Sequence, residues 1–168
     1  MNKRYVAFLR GINVGGYKLI KMQELRKAFS SLGFKNVKTF IQSGNVIFDS
    51  EKVDVNKIEE KLRKAFGYEI KVMLITIDEL KGIIEYNPFK KIKGDAKLYV
   101  AFLSEAPKNV PLESLKSEVE YFLIRNREVF AVLRNGVKTR FSNNFIEKKL
   151  GVSATTRNWN VVRKIAEL

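Results

Sequence analysis

Hydrophobic positions in the first half of the chain change their period in a regular order. Tyr5-Val6-Ala7-Phe8-Leu9 is a β-branched and aromatic run that predicts a strand, and Met22, Leu25, Phe29 and Leu32 then recur at helical spacing until Gly33 stops them. Val37 to Ile41 and Asn45 to Phe48 read as strands joined by a hairpin at Gln42-Ser43-Gly44. A second helical stripe, Val55, Ile58, Leu62 and Phe66, closes at Gly67, and Ile70 to Ile75 supplies a fourth strand. The order is βαββαβ. A further helix starts at Thr76 and runs to about Tyr86. Its opening Thr76-Ile77-Asp78-Glu79 has the capping-box pattern, in which hydroxyl and carboxylate reciprocally satisfy free backbone donors. Asn87-Pro88-Phe89 breaks that helix, and Lys90 to Asp95 is a polar connection.

The second half repeats the plan less regularly. Its first strand, Lys97 to Leu103, contains Tyr99-Val100-Ala101-Phe102-Leu103, a letter-for-letter copy of the first strand of the chain. A short helix is predicted around Leu112 to Leu115, and a hairpin about Asn126 joins Tyr121 to Ile124 with Glu128 to Leu133. Ser142 caps a helix that Gly151 ends, with Phe141 stapled onto Ile146. A short strand near Ala154 to Thr156 completes a second βαββαβ, and a helix from Trp159 to Leu168 follows. The expected division is 1–88, the first subdomain with its following helix, and 89–168, the second with the C-terminal helix. Both opening strands are apolar on both faces, which predicts either packing on both sides or an open aromatic platform of the kind that stacks RNA bases.

Because the opening strand is duplicated, the second half acts as an internal control. Only the first copy runs on into a glycine loop, Arg10-Gly11-Ile12-Asn13-Val14-Gly15-Gly16-Tyr17; the second continues as Ser104-Glu105-Ala106-Pro107. The second hairpin, Arg125-Asn126-Arg127, likewise has no counterpart to Gly44. In an antiparallel βαββαβ sheet the first and second strands run the same way, so Arg10 to Tyr17 and Gln42 to Asn45 emerge at one edge. Together they offer backbone N–H groups, the Arg10 guanidinium, the amides of Asn13, Gln42 and Asn45, and a helix N-terminus just beyond. That set suits a phosphate or carboxylate. The loop is neither a Walker A motif, since Tyr17 stands where lysine is needed, nor a dinucleotide fingerprint, so no nicotinamide or flavin cofactor is implied.

Composition narrows the chemistry further. With no cysteine and no histidine, thiolate nucleophiles, disulfides, Cys/His zinc sites and imidazole bases are excluded, and no acidic spacing argues for a metal. Lys18 or Tyr17 is the nearest candidate proton-transfer group, by position alone. A formal charge of +14 and a pI near 9.9 make the surface attractive to anions, including nucleic acid. From Arg134 onward, eight basic residues face only Glu147 and Glu167. Apolar runs too short for a membrane helix or a signal peptide lead us to expect a cytoplasmic protein without a membrane partner. Near the end, Asn158 reads as an N-cap and Trp159 as core. Arg157 at a helix start would oppose the macrodipole, which marks it as a residue in use.

Three ordered motifs carry a resemblance: Tyr5 to Gly16, Ile41-Gln42-Ser43-Gly44-Asn45-Val46, and Thr156-Arg157-Asn158-Trp159-Asn160 with Val162, Arg163 and Lys164. They closely resemble the bacterial domain-of-unknown-function family 1697. The resemblance implies an α+β fold of two tandem ferredoxin-like (α/β plait) subdomains with antiparallel sheets and a C-terminal helix, in agreement with the strand order. It implies no established activity. It does group Arg10, Gly11, Asn13, Gly15, Gly16, Gln42, Ser43, Asn45, Arg157 and Asn158 as one candidate ligand site. The leading expectation is binding of a small phosphate- or carboxylate-bearing ligand; the alternatives are a nucleic-acid-binding module using the basic surface, and a regulatory or assembly protein.

Overall fold

The computed structural model describes all of residues 1–168. Two compact units divide the chain: Met1–Lys81 with Leu168, and Gly82–Glu167. The first contains β1 (Lys3–Leu9), α1 (Met22–Ser30), β2 (Lys35–Thr39), β3 (Asn45–Ser50), α2 (Val55–Phe66) and β4 (Val72–Thr76), and the division falls within α3 (Ile77–Tyr86). The second contains β5 (Ala96–Leu103), α4 (Leu112–Lys116), β6 (Tyr121–Arg125), β7 (Glu128–Arg134), α5 (Asn143–Leu150), β8 (Ala154–Asn158) and α6 (Trp159–Ala166). Each unit holds one four-stranded antiparallel sheet, ordered β2-β3-β1-β4 and β6-β7-β5-β8. Both are ferredoxin-like plaits. No helix is long and apolar enough to cross a membrane.

In the first unit the alternation of β1 decides the layers. Ala7 and Leu9 point to the face that α1 covers with Leu25, Ala28 and Phe29, and α2 with Ile58 and Leu62. Each large side chain so buried contributes roughly 1.5–3 kcal/mol. Val6 and Phe8 point the other way and are also fully buried. In the second unit Ala101 and Leu103 share a core with Leu115 of α4 and Ile146 and Leu150 of α5, while Val100 and Phe102 are buried on the reverse face. There the rings of Phe89 and Trp159 meet edge-on, 5.1 Å apart, and both pack on Phe130. Neither opening strand therefore presents an aromatic platform.

The caps form as their sequences predict. Glu79 donates its backbone N–H to Thr76 Oγ1 at 3.1 Å, and Thr76 returns its own to Glu79 Oε2 at 2.9 Å. Ser142 accepts from the Phe145 N–H, and Gly67 and Gly151 close α2 and α5 in the left-handed conformation. Several element boundaries differ from the sequence reading: β3 runs on to Ser50, β4 spans Val72–Thr76 rather than Ile70 to Ile75, and α6 stops at Ala166 rather than Leu168. β2 spans Lys35–Thr39 rather than Val37 to Ile41, because Ile41 has φ +54° and cannot prolong an extended strand. β8 reaches Asn158 because β5 continues to pair with it, Val100 opposite Arg157 and Tyr99 opposite Asn158.

The two units also share bonds that no sequence repeat announces. Leu9 and Leu103 each donate an N–H at 2.8 Å to the turn that follows β2 or β6, at Gly44 and Arg127 respectively. Arg10 donates to Lys71, and Ser104 to Ser153, both at 2.9 Å. Glu59 of α2 takes the first N–H of β4 at Val72, and Glu147 of α5 takes the first N–H of β8 at Ala154, both at 2.9 Å. The two glutamates stand at different distances from their helix-ending glycines because α2 has 12 residues and α5 has 8. A charge-assisted bond to an otherwise unpaired strand donor is worth about 1.5–3 kcal/mol. Urea unfolding should therefore show Glu59→Ala and Glu147→Ala each losing about that much, whereas Glu60→Ala, which removes only an exposed pair with Lys64, should lose under about 0.5 kcal/mol.

Candidate functional site

The edge of the first unit is assembled around Gly44. Its backbone carbonyl accepts from Leu9, and its φ is +90°. A Cβ placed there would lie 2.8 Å from Ile12 Cδ1 and 2.9 Å from Leu9 Cβ. Ile12, the residue after Gly11, is 1% exposed and plugs this seat, so the glycine loop and the β2–β3 turn are pressed together with no room for a side chain at position 44. This glycine serves packing, which its appearance as a turn residue did not reveal.

Asn13 then fastens the two loops. Its Nδ2 donates to the carbonyls of Ile20 (3.1 Å) and Gln42 (2.8 Å), and its Oδ1 accepts from the Ile20 N–H (2.8 Å). Its own N–H reaches the Lys18 carbonyl at 3.1 Å. Both amide hydrogens are thus committed within the protein, and Asn13 shapes the loop from inside. Asn45 does the same for the neighbouring turn. Fully buried, it donates to the Phe40 carbonyl at 2.8 Å and to Ser43 Oγ at 3.0 Å. The sequence correctly brought these loops to one edge, but it could not show that two of their three amides would be consumed in holding it.

What faces outward is different in kind. Val14 and Tyr17 bridge a two-residue turn at Gly15 (φ +56°) and Gly16 (φ +81°), closed by Tyr17 N–H to Val14 O at 2.9 Å. Two positive φ angles in succession define the tight hairpin turn that glycine pairs favour. The N–H groups of Gly11, Gly15 and Gly16 have no acceptor within the protein, and nothing lies within 4 Å of a Cβ built on Gly11 or Gly16. Beside them are half-buried Arg10 and the exposed side chain of Gln42. Lys18 directs its ammonium to the Glu69 carbonyl at 2.8 Å, and the Glu69 carboxylate lies 3.7 Å from Arg63. Lys21, the N-cap of α1, makes no side-chain capping bond.

The same edge exposes apolar surface. Val14 is 63% exposed, Tyr17 77%, Leu19 65% and Ile41 49%. It also concentrates backbone strain. Of the non-glycine residues at positive φ, Asn13, Asn36, Asn87 and Asn126 are of the type that tolerates it; the other two, Lys18 (φ +48°) and Ile41 (φ +54°), both belong to this edge. A β-branched residue held there costs roughly 1–2 kcal/mol.

Arg157 and Asn158 belong to the second unit. Arg157 is a strand residue of β8, not the first residue of a helix, so the macrodipole argument does not apply to it. Its cost is burial. At 7% exposure it donates to Thr155 Oγ1 (2.7 Å) and the Thr156 carbonyl (3.0 Å), and desolvation lowers its pKa to about 10, which leaves it cationic at neutral pH. Asn158 caps α6 by accepting from the Asn160 N–H at 2.9 Å, and Trp159 is core. A crevice of about 240 Å³ that the sequence did not signal opens beside this strand, where Thr156 Oγ1 donates to Asn143 Oδ1 at 2.7 Å. Another, of about 610 Å³, lies at the far end of β1 from the glycine loop. Its lining mixes the basic Lys3, Arg4 and Lys81 with the acidic Asp78 and Glu79. No three acidic side chains converge to hold a metal ion.

Two substitutions test this account of the edge. Gly44→Ala should destabilise by about 2–4 kcal/mol, from left-handed strain plus overpacking, whereas Gly67→Ala, with open space around it, should lose only about 1–2 kcal/mol in the same urea titration. Ile41→Asn should raise stability by about 0.5–1 kcal/mol, since asparagine relieves the strain and the isoleucine is half exposed.

Among curated proteins, none matches the chain. The conserved bacterial protein SP0830 from Streptococcus pneumoniae has a similar solved structure, with a TM-score of 0.64 and 23% identity over 99% of this chain and 98% of that one. At that identity the likeness establishes the fold. A family model described as "Protein of unknown function (DUF1697)" matches residues 1–130, a span that takes in the glycine loop and the β2–β3 turn and stops before the third motif. With well over half its length matched, the chain belongs to the DUF1697 family.

Proposed function

We propose that the first unit binds a small anionic ligand, bearing a phosphate or a carboxylate, at the edge formed by Arg10 to Tyr17 and the β2–β3 turn. The observation that supports this reading is the set of backbone donors at Gly11, Gly15 and Gly16, which have no acceptor in the protein, with nothing within 4 Å of a Cβ built on Gly11 or Gly16. Donors held in a stiff turn cost no reorganisation when an anion arrives, and glycine lets it approach the backbone closely. Arg10 supplies the charge, and Gln42 an amide to orient the ligand. Asn13, Ser43 and Asn45 act one step back, by holding the two loops in register. Arg157 and Asn158 are not needed for this reading, because burial in β8 and the capping of α6 already account for them.

A thermal-shift series with inorganic phosphate, nucleotides, sugar phosphates and small carboxylates tests it. A ligand present at 100 times its dissociation constant adds about 2.7 kcal/mol to the folded state. For a chain of this size that raises the melting temperature by roughly 5–10 °C. The shift should fall sharply in Arg10→Ala at the same ligand concentration. An undiminished shift in that variant would remove the assignment, and a response confined to oligonucleotides, with affinity falling steeply in salt, would point to the basic surface instead.

A further inference from the structure

Val14, Leu19 and Ile41 are exposed, and each stands next to a residue gripped by the Asn13 clasp: Val14 follows Asn13 itself, Leu19 lies between Lys18 and Ile20, and Ile41 precedes Gln42. Tyr17, the most exposed of the four, bridges back to Val14. Single exposed apolar side chains are ordinary, but these four stand on two loops that one set of hydrogen bonds ties together at one edge. Ile41 strengthens the point. A β-branched, half-exposed residue is held at a left-handed position where asparagine or glycine would sit with less strain.

The surroundings specify the sign of the partner. Arg10, Lys18 and Lys21 lie on the loop between β1 and α1 and Lys38 on β2, against Glu24 in the first turn of α1, whose carboxylate is 3.5 Å from the Lys27 ammonium. Glu69 is the acidic residue beside Lys18, and its carboxylate is turned to Arg63. A second copy of this chain would bring two basic rims together, and a nucleic acid would stack on Tyr17 but leave three aliphatic side chains without an apolar counterpart. An apolar centre containing tyrosine, rimmed by positive charge, is the surface that a polypeptide segment with apolar side chains and acidic flanks complements.

We propose that this loop edge docks such an acidic, apolar-bearing peptide segment of a partner protein. The inference stands on side chains and charge, and does not require the small-anion reading. It is tested by fluorescence anisotropy of the full-length protein with a short labelled peptide that alternates Asp or Glu with Leu or Phe. One control peptide carries Lys in place of the acids, and another carries Ser in place of the apolar residues. The acidic, apolar peptide should bind at least about tenfold more tightly than either control, and lose roughly tenfold or more in the double variant Tyr17→Ser/Leu19→Ser. Val137→Ser, at an exposed position in the second unit, should leave binding unchanged. The substituted residues are exposed, so unchanged melting temperatures will show that the variants remain folded. Equal binding of the serine control, indifference to the double substitution, or binding of anionic phospholipid vesicles or single-stranded oligonucleotide with none of the peptide would overturn the proposal. Arg10→Ala in the phosphate thermal-shift assay separates the two readings, because that measurement contains no apolar ligand.

Discussion

Everything at the loop edge depends on how closely Gly44 sits against Leu9 and Ile12. With 2.8 Å from a Cβ at position 44 to the Ile12 side chain, no other residue fits without moving the backbone. Beside that contact the Leu9 N–H reaches the Gly44 carbonyl, and Gln42 comes within reach of Asn13. Asn13 then fixes the loop with three side-chain bonds. The outward donors and the exposed side chains inherit their positions from this seat, which is why a turn glycine governs a surface it does not line.

The second unit shows how much of this the fold itself requires. Leu103 and Ser104 make the same backbone bonds as Leu9 and Arg10, and Glu147 holds its edge strand as Glu59 does. The plait closes there with a tight turn at Asn126 and no loop of glycines. What the first unit adds is therefore neither a strand-pairing device nor a cap. It is a turn standing off the sheet, with open donors and apolar side chains.

Periodicity made the fold readable because strands and helices here obey simple rules. The capping box at Thr76, the αL glycines at Gly67 and Gly151 and the N-cap at Asn158 all occur where their chemistry demands. The errors arose where a tertiary contact outweighs local preference. Ile41 belongs by propensity to a strand and instead turns out of it, and Arg157 belongs by sequence position to a helix start and instead prolongs β8 against β5. The meeting of the two loops at one edge was legible, but the roles of their residues were not. Asparagine beside glycine reads equally well as a ligand donor or a brace, and only the hydrogen bonds of Asn13 and Asn45 distinguish the two.

Strain completes the distinction between frame and function. A loop that served only to connect β1 with α1 would place asparagine or glycine wherever φ turns positive, as the chain does at Asn36, Asn87 and Asn126. At this edge Asn13 and the glycines follow that rule, while Lys18 in the loop and Ile41 in the β2–β3 turn depart from it, one charged and one apolar. Lys18 recovers part of the cost by donating to the Glu69 carbonyl, which also pins the loop toward β4. Ile41 makes no such bond, and half its side chain remains in water. Strain met on folding is not met again when a partner arrives, which is the general advantage of a preorganised loop.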